Sequence, residues 1–170
     1  MTKTLLMTLL LVLPIFGLPS NLHKGEKIHY SLSLLNFELV DWDIEIIKQL
    51  DNQKYLIEHN FTLPILKDKR INQKVNKQLL NTNIKSQITL RSCQVMGGVI
   101  TKITIGNKNI KTCKLDIKRA PKKILKSLRK LRLYKKQKSN GSIYFAKVPY
   151  LGIAKIESNI ANLEIIDYSW

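Results

Sequence analysis

The chain has 170 residues and carries 29 Lys and Arg against 12 Asp and Glu, a net charge of +17 that asks for anionic partners. With about 150 residues behind an apolar N-terminal stretch, it is one domain of ordinary size, able to build a hydrophobic core without dense disulfides. No second long apolar run follows the first, so the rest of the chain is soluble or peripheral.

Residues 1–20 read MTKTLLMTLLLVLPIFGLPS. Lys3 leads an apolar run over 5–18, and the small residues Gly17 and Ser20 follow, which is the layout of a secretory signal peptide. The apolar run is about 14 residues, short of the roughly 20 that span a bilayer. Pro14 and Pro19 also favour a cleaved leader over a stable anchor. The alternative is an uncleaved anchor in the inner membrane. Cleavage after Ser20 places Leu18 at −3, where a smaller residue is preferred, and Gly17 is the other candidate exit. Cys93 and Cys113 are the only cysteines and neither stands near this run, which argues against the lipoprotein route. Residues 21–170 then form a single exported domain.

That domain reads as mostly strand. Ile28, Tyr30, Leu32 and Leu34 share one face of a first alternating run. Val40, Trp42, Ile44 and Ile46 turn inward in a second, with Asp41, Asp43 and Glu45 outward, the pattern of a half-buried antiparallel strand. Tyr55, Ile57, His59 and Phe61 repeat it, and Pro64 closes that strand. In the stretch 68–80, Ile71, Val75 and Leu79 are spaced by four, which suits a polar helix better than a strand. Residues 86–91 read as strand. Val99–Ile105 and 110–117 read as a hairpin around Gly106-Asn107-Lys108-Asn109. Ser139-Asn140-Gly141 is a further turn, and 143–148, 152–157 and 163–168 close the chain as strands. The expected fold is mainly β (α+β): a single curved antiparallel sheet or partial β-barrel with one or two covering helices.

The charge is concentrated. From 118 to 138, 11 of 21 residues are Lys or Arg and none is acidic. Pro121 suits the first position of a helix. Ile124, Leu128 and Leu131, with Leu125 beside them, then form one apolar stripe, with Lys122, Lys123, Lys126, Arg129 and Lys130 around it. Such a helix either lies on a membrane or packs its stripe on its own domain and solvates its charges. From Arg129 onward the residues also alternate, so the end of the segment has a strand reading. Lys118, Arg119, Lys122, Lys123, Lys126, Arg129, Lys130 and Arg132 are the candidate anionic-surface residues. Behind a leader, the partners for such a segment are phospholipid headgroups or envelope polymers, each basic side chain adding roughly 1 kcal/mol, and not nucleic acid. The competing reading is compositional: the chain is rich in Lys, Asn and Ile, as AT-rich genomes encode, and part of the charge then needs no partner.

In an oxidising compartment Cys93 and Cys113 read as a disulfide closing a loop of about 20 residues, roughly 3 kcal/mol of stabilisation in the chain-entropy model. Free thiols or a metal pair are the alternatives, but no His or acidic partner stands nearby at ligand spacing. Gly97-Gly98 supplies a bend between the two cysteines. His29 is out of phase with Ile28 and Tyr30 and faces outward; His59 is in phase with the buried set. Asp41, Asp43 and Glu45 share one face, either as a weak cation site or as a solvated face. Asn60-Phe61-Thr62 and Asn140-Gly141-Ser142 are glycosylation sequons, relevant only in a eukaryotic secretory pathway. No Ser–His–Asp signature, His-Glu-x-x-His or phosphate-cradling Gly loop occurs, so the expectation is a protein without enzymatic activity or cofactor. A hydrolase would need His29 or His59 against a carboxylate in a deep polar pocket.

Three passages together resemble a family of exported bacterial proteins of unassigned function. They are the opening Gly25-Glu26-Lys27-Ile28-His29-Tyr30, the segment from Cys93 through Gly97-Gly98 and Ile103-Thr104-Ile105 to Thr112-Cys113-Lys114-Leu115, and the closing Tyr144-Phe145-Ala146-Lys147-Val148-Pro149-Tyr150-Leu151-Gly152. The resemblance implies a β-rich periplasmic domain, similar to lipoprotein-carrier half-barrels of the LolA type, in which a curved sheet holds acyl chains in an apolar cavity. It makes a lipid or other apolar ligand in the half-barrel the first expectation. Docking on anionic lipid or polysaccharide through 118–138 is the second. Oligomeric state is open.

Overall fold

Alternation decides most of the fold. The structure, a computed structural model, describes residues 23–34, 37–51, 54–62, 73–81, 89–130, 134–148 and 152–169. Nine strands occur among them: β1 (Lys27–Leu34), β2 (Phe37–Asp51), β3 (Lys54–Thr62), β4 (Gln73–Asn81), β5 (Val99–Ile105), β6 (Lys108–Asp116), β7 (Gly141–Ala146), β8 (Ile153–Ser158) and β9 (Ala161–Ser169). Two short helices join them, α1 (Leu90–Val95) and α2 (Lys122–Lys130), with a single 3-10 turn over Ile117–Arg119. The strands form one antiparallel sheet in the order β4-β3-β2-β1-β9-β8-β7-β6-β5. The expected mainly β, single-sheet fold with two helices is borne out.

Ile28, Tyr30 and Leu32 of β1, Val40, Trp42, Ile44 and Ile46 of β2, and Tyr55 and Ile57 of β3 are all buried, while Asp41, Asp43 and Glu45 face outward. The period of two therefore set the face of each strand. The sheet curls. Three steps separate β6 from β9 in the strand order, about 14 Å in a flat sheet. Yet Lys108 Nζ reaches the Tyr168 carbonyl at 3.3 Å, and a Cβ on Gly106 would lie 3.9 Å from Asp167 Oδ1. Shifts of register in five of the strand pairs, such as those at His29/Tyr30 and Tyr144/Phe145, accompany the bending. Cys93 of α1, Ile117 of the 3-10 turn, and Ile124 and Leu128 of α2 join Leu115, Ile143, Phe145, Ile153 and Ile156 in one core.

Four sequence expectations are corrected. The helix expected over 68–80 is strand β4 from Gln73 to Asn81, paired with β3 from Lys54↔Asn81 to Phe61↔Gln73. A spacing of four fits a period of two as well as one of 3.6, so Val75 and Leu79 did not discriminate. Residues 68–72 lie outside the described residues. Of the strand expected over 86–91, residues 86–88 lie outside the described residues and Leu90 opens α1. Thr89 caps that helix: its Oγ1 accepts from Ser92 N–H at 3.0 Å, and Ser92 Oγ accepts from Thr89 N–H at 2.9 Å. The turn around 106–109 is tighter than expected, because Ile105 already pairs with Lys108 across Gly106-Asn107. The turn placed at 139–141 lies earlier, where Lys138 N–H and Ser139 N–H both donate to the Lys135 carbonyl, and Gly141 opens β7. The leader over 1–20, Pro64, Leu131, Arg132 and the strand reading of 131–133 fall outside the described residues, as do the side chains of His59, Phe61 and Lys130.

Candidate functional site

The basic segment begins where β6 ends. Asp116 Oδ1 accepts the Lys118 N–H at 2.8 Å and so starts the 3-10 turn. Pro121 follows, its carbonyl accepting Leu125 N–H at 3.1 Å, and α2 runs on from Lys122. Within it Ile124 and Leu128 are 3% and 2% exposed, and Leu125 is half-buried. Lys118, Arg119, Lys122, Lys123, Lys126 and Arg129 are all exposed, as are Lys135, Lys136 and Lys138 beyond the helix. Lys118 Nζ also donates to Asn140 Oδ1 at 2.6 Å, fastening the turn to the start of β7. The structure thus brings six of the eight candidate residues to one exposed segment. Lys130 belongs to α2, and Arg132 lies outside the described residues.

Cys93 and Cys113 are joined, with Sγ atoms 2.06 Å and Cα atoms 6.2 Å apart. The bond ties α1 to β6. Helix α1 then ends on a left-handed Gly97 (φ +88°), with Gly97 N–H donating to the Gln94 carbonyl at 2.8 Å and Gly98 N–H to the Cys93 carbonyl at 3.0 Å. Those two bonds are the Schellman pattern, which glycine allows because it lacks a Cβ. Arg119 closes over this end: its Nη1 lies 2.7 Å from where a Cβ on Gly97 would stand.

The outward face of the sheet carries the acidic residues, and they are partnered. His29 Nδ1 lies 2.6 Å from Asp43 Oδ1, and His29 Nε2 lies 3.6 Å from Asp41 Oδ1. Lys27 Nζ lies 2.9 Å from Glu45 Oε2. The three carboxylates read as a possible cation site are therefore engaged by the chain's own bases. No group of three or more His, Cys, Asp or Glu able to hold a metal occurs among the described residues. His29 does meet carboxylates, but on the outward face of a strand and 32% exposed, not in a deep pocket. Further along this face Lys155 Nζ bridges Glu157 Oε1 at 2.8 Å and Glu164 Oε1 at 3.5 Å. Tyr144 OH donates to Glu157 Oε2 at 2.7 Å. Lys155, and then Tyr144, hold the Glu157 carboxyl below its ordinary value against the opposing effect of burial. Burial, and then Glu157, push the Tyr144 phenol up. Burial pulls the Lys155 ammonium down, but Glu157 and Glu164 together outweigh it and hold that group above its ordinary value. A shallow cleft of about 170 Å³ opens here, lined by Ser31, Ser33, Lys155, Glu157, Asn162 and Glu164 among others. Its lysine is already neutralised by two carboxylates. No helix among the described residues is long and apolar enough to cross a membrane.

No family model matches this chain, and no curated protein matches it. A solved structure from Parabacteroides distasonis, described as a "putative lipoprotein", is similar over 91% of this chain and 99% of its own, at 9% identity and a TM-score of 0.45. A likeness of that degree assigns no function.

Proposed function

We propose that the chain is an exported, non-enzymatic envelope protein that docks on an anionic lipid surface through the basic face of the 3-10 turn and α2. One observation carries the reading: Ile124 and Leu128 are spent on the domain's own core, while Lys118, Arg119, Lys122, Lys123, Lys126 and Arg129 stand outside it. What this helix presents to its surroundings is therefore charge. No Asp or Glu occurs in the sequence between Asp116 and Glu157. The apolar-cargo reading has less support. Tyr30, Ile57, Ile143 and Phe145 on the inward side are closed to solvent, so cargo there would first have to open the core.

Co-sedimentation with phosphatidylcholine vesicles, with and without phosphatidylglycerol, tests the reading. Binding should require the anionic lipid and weaken with salt. Replacing Lys122, Lys126 and Arg129 together by Gln should cost about 3 kcal/mol, roughly a hundredfold in affinity. Binding that ignores lipid charge, or survives those three substitutions, would sink it.

A further inference from the structure

The acidic residues are divided along the chain. From 69 to 156 the sequence holds one, Asp116, and the other eleven lie at 26–68 and 157–167. Within the basic stretch the surface has an apolar point. Val95 and Val99 are 84% and 64% exposed, the two most exposed large apolar side chains among the described residues. A single exposed valine needs no explanation, but these two flank one corner, on either side of Gly97-Gly98. Met96 between them is partly buried against the core.

Two arginines border that corner. Arg91 precedes Val95 by four residues on α1, so the two lie on one side of the helix, and both are exposed. Lys114 is the direct partner of Val99 in the β5–β6 ladder, but its ammonium lies 5.5 Å over the Tyr144 ring of β7 and so turns from the corner. The Arg119 guanidinium sits against Gly97. The corner is also held: the glycine cap ends α1, and the disulfide ties Cys93 to β6. Through Arg119 it is continuous with the basic face of α2.

We propose that this corner is a membrane-insertion tip, in which Val95 and Val99 enter the acyl boundary of an anionic bilayer while Arg91 and Arg119 meet headgroup phosphates. The pairing of apolar side chains with a basic surround fits the interface of such a bilayer, where apolar burial and headgroup charge act together. A soluble polyanion would use the cations and leave the valines idle. The proposal rests on the anionic-lipid reading above and adds the part of the molecule that goes in.

The test uses the full, oxidised chain, vesicles with and without phosphatidylglycerol, and heparin as a soluble polyanion. Val95 is surface-exposed, so its substitution by a neutral polar residue should keep the parent's circular dichroism. Val95→Gln, which leaves the charge unchanged, should weaken binding to phosphatidylglycerol vesicles by about tenfold through the lost apolar contact. It should leave salt-sensitive heparin binding within about twofold, because the net charge is the parent's. Val95→Trp should retain vesicle binding and add fluorescence, above that of Trp42 and Trp170, which shifts blue and is quenched by brominated acyl chains. Unchanged vesicle binding by Val95→Gln, with no quenching of Val95→Trp, would overturn the insertion tip and leave the basic-face reading standing. A parent chain that ignores phosphatidylglycerol altogether would overturn both.

Discussion

Gly98 stands directly against Cys113: a Cβ on Gly98 would lie 2.5 Å from Cys113 Sγ, 2.6 Å from Cys93 Sγ and 2.9 Å from the Cys93 carbonyl oxygen. That carbonyl accepts the Gly98 N–H at 3.0 Å, so it cannot move aside without opening the turn that ends α1. Gly98→Ala should therefore destabilise the oxidised protein by about 1–3 kcal/mol, the usual overpacking range. Equilibrium urea unfolding measures it. A midpoint matching the parent's would refute the close packing.

The disulfide itself closes a separation of 20 residues. Replacing both cysteines by Ala should lower stability by about 3 kcal/mol. It also removes two of the three atoms nearest the Gly98 position. The Gly98→Ala penalty should then shrink in the cysteine-free background, a coupling that a double-mutant cycle reads directly. Additive penalties would mean that the carbonyl contact alone excludes the methyl group.

Tyr30 is fully buried, its ring centroid 5.4 Å from that of Trp42, and its hydroxyl donates to the Ile153 carbonyl at 3.0 Å. The bond joins β1 to β8 across the core. Tyr30→Phe keeps the ring and strands a buried acceptor, which should cost about 1–3 kcal/mol. Chemical denaturation measures the loss, and an unchanged Trp emission maximum would attribute it to the bond. A shifted maximum would point instead to a moved ring beside Trp42.

The strands that could be read in advance were those with one wet face. Trp42 and Ile44 announced β2 because Asp41, Asp43 and Glu45 stand between them. β7 gave its place but not its depth: Ile143, Tyr144, Phe145 and Ala146 are buried on both faces, so no alternation marks them. α1 was missed because its cap is Thr89 with Ser92, where Glu or Gln is the usual signal at the second position. The basic segment was legible as a helix, since Pro121 and the spacing of Ile124 and Leu128 marked α2 and its buried stripe. The exposed corner was not, since Val95-Met96-Gly97-Gly98-Val99-Ile100 has the content of a core strand. Only the paired glycines hinted that the chain turns there. The partnering of His29 with Asp43 depends on the β1–β2 register, which composition does not carry.

The Tyr144–Glu157–Lys155 cluster makes stability depend on pH at both ends. Glu157 has a folded-state pKa below its ordinary value, chiefly through Lys155 and then Tyr144. Its contribution is present above the unfolded value of about 4.3 and is lost as pH falls through the folded one. Tyr144 and Lys155 are both raised, the first by burial and then Glu157, the second by its carboxylate partners against burial. Their contributions are present below the unfolded values of about 10 and are lost as pH rises through the folded ones. The Glu157 side chain is 44% exposed, so solvent screening keeps its share under about 1 kcal/mol. Glu157→Gln should flatten the acid limb and lower the pKa of Tyr144 towards its ordinary value. Urea midpoints taken from about pH 3 to about pH 7 read the first effect, and ultraviolet titration of the phenol reads the second. An acid limb as steep as the parent's, with an unmoved phenol, would show that Glu157 does not couple to either neighbour.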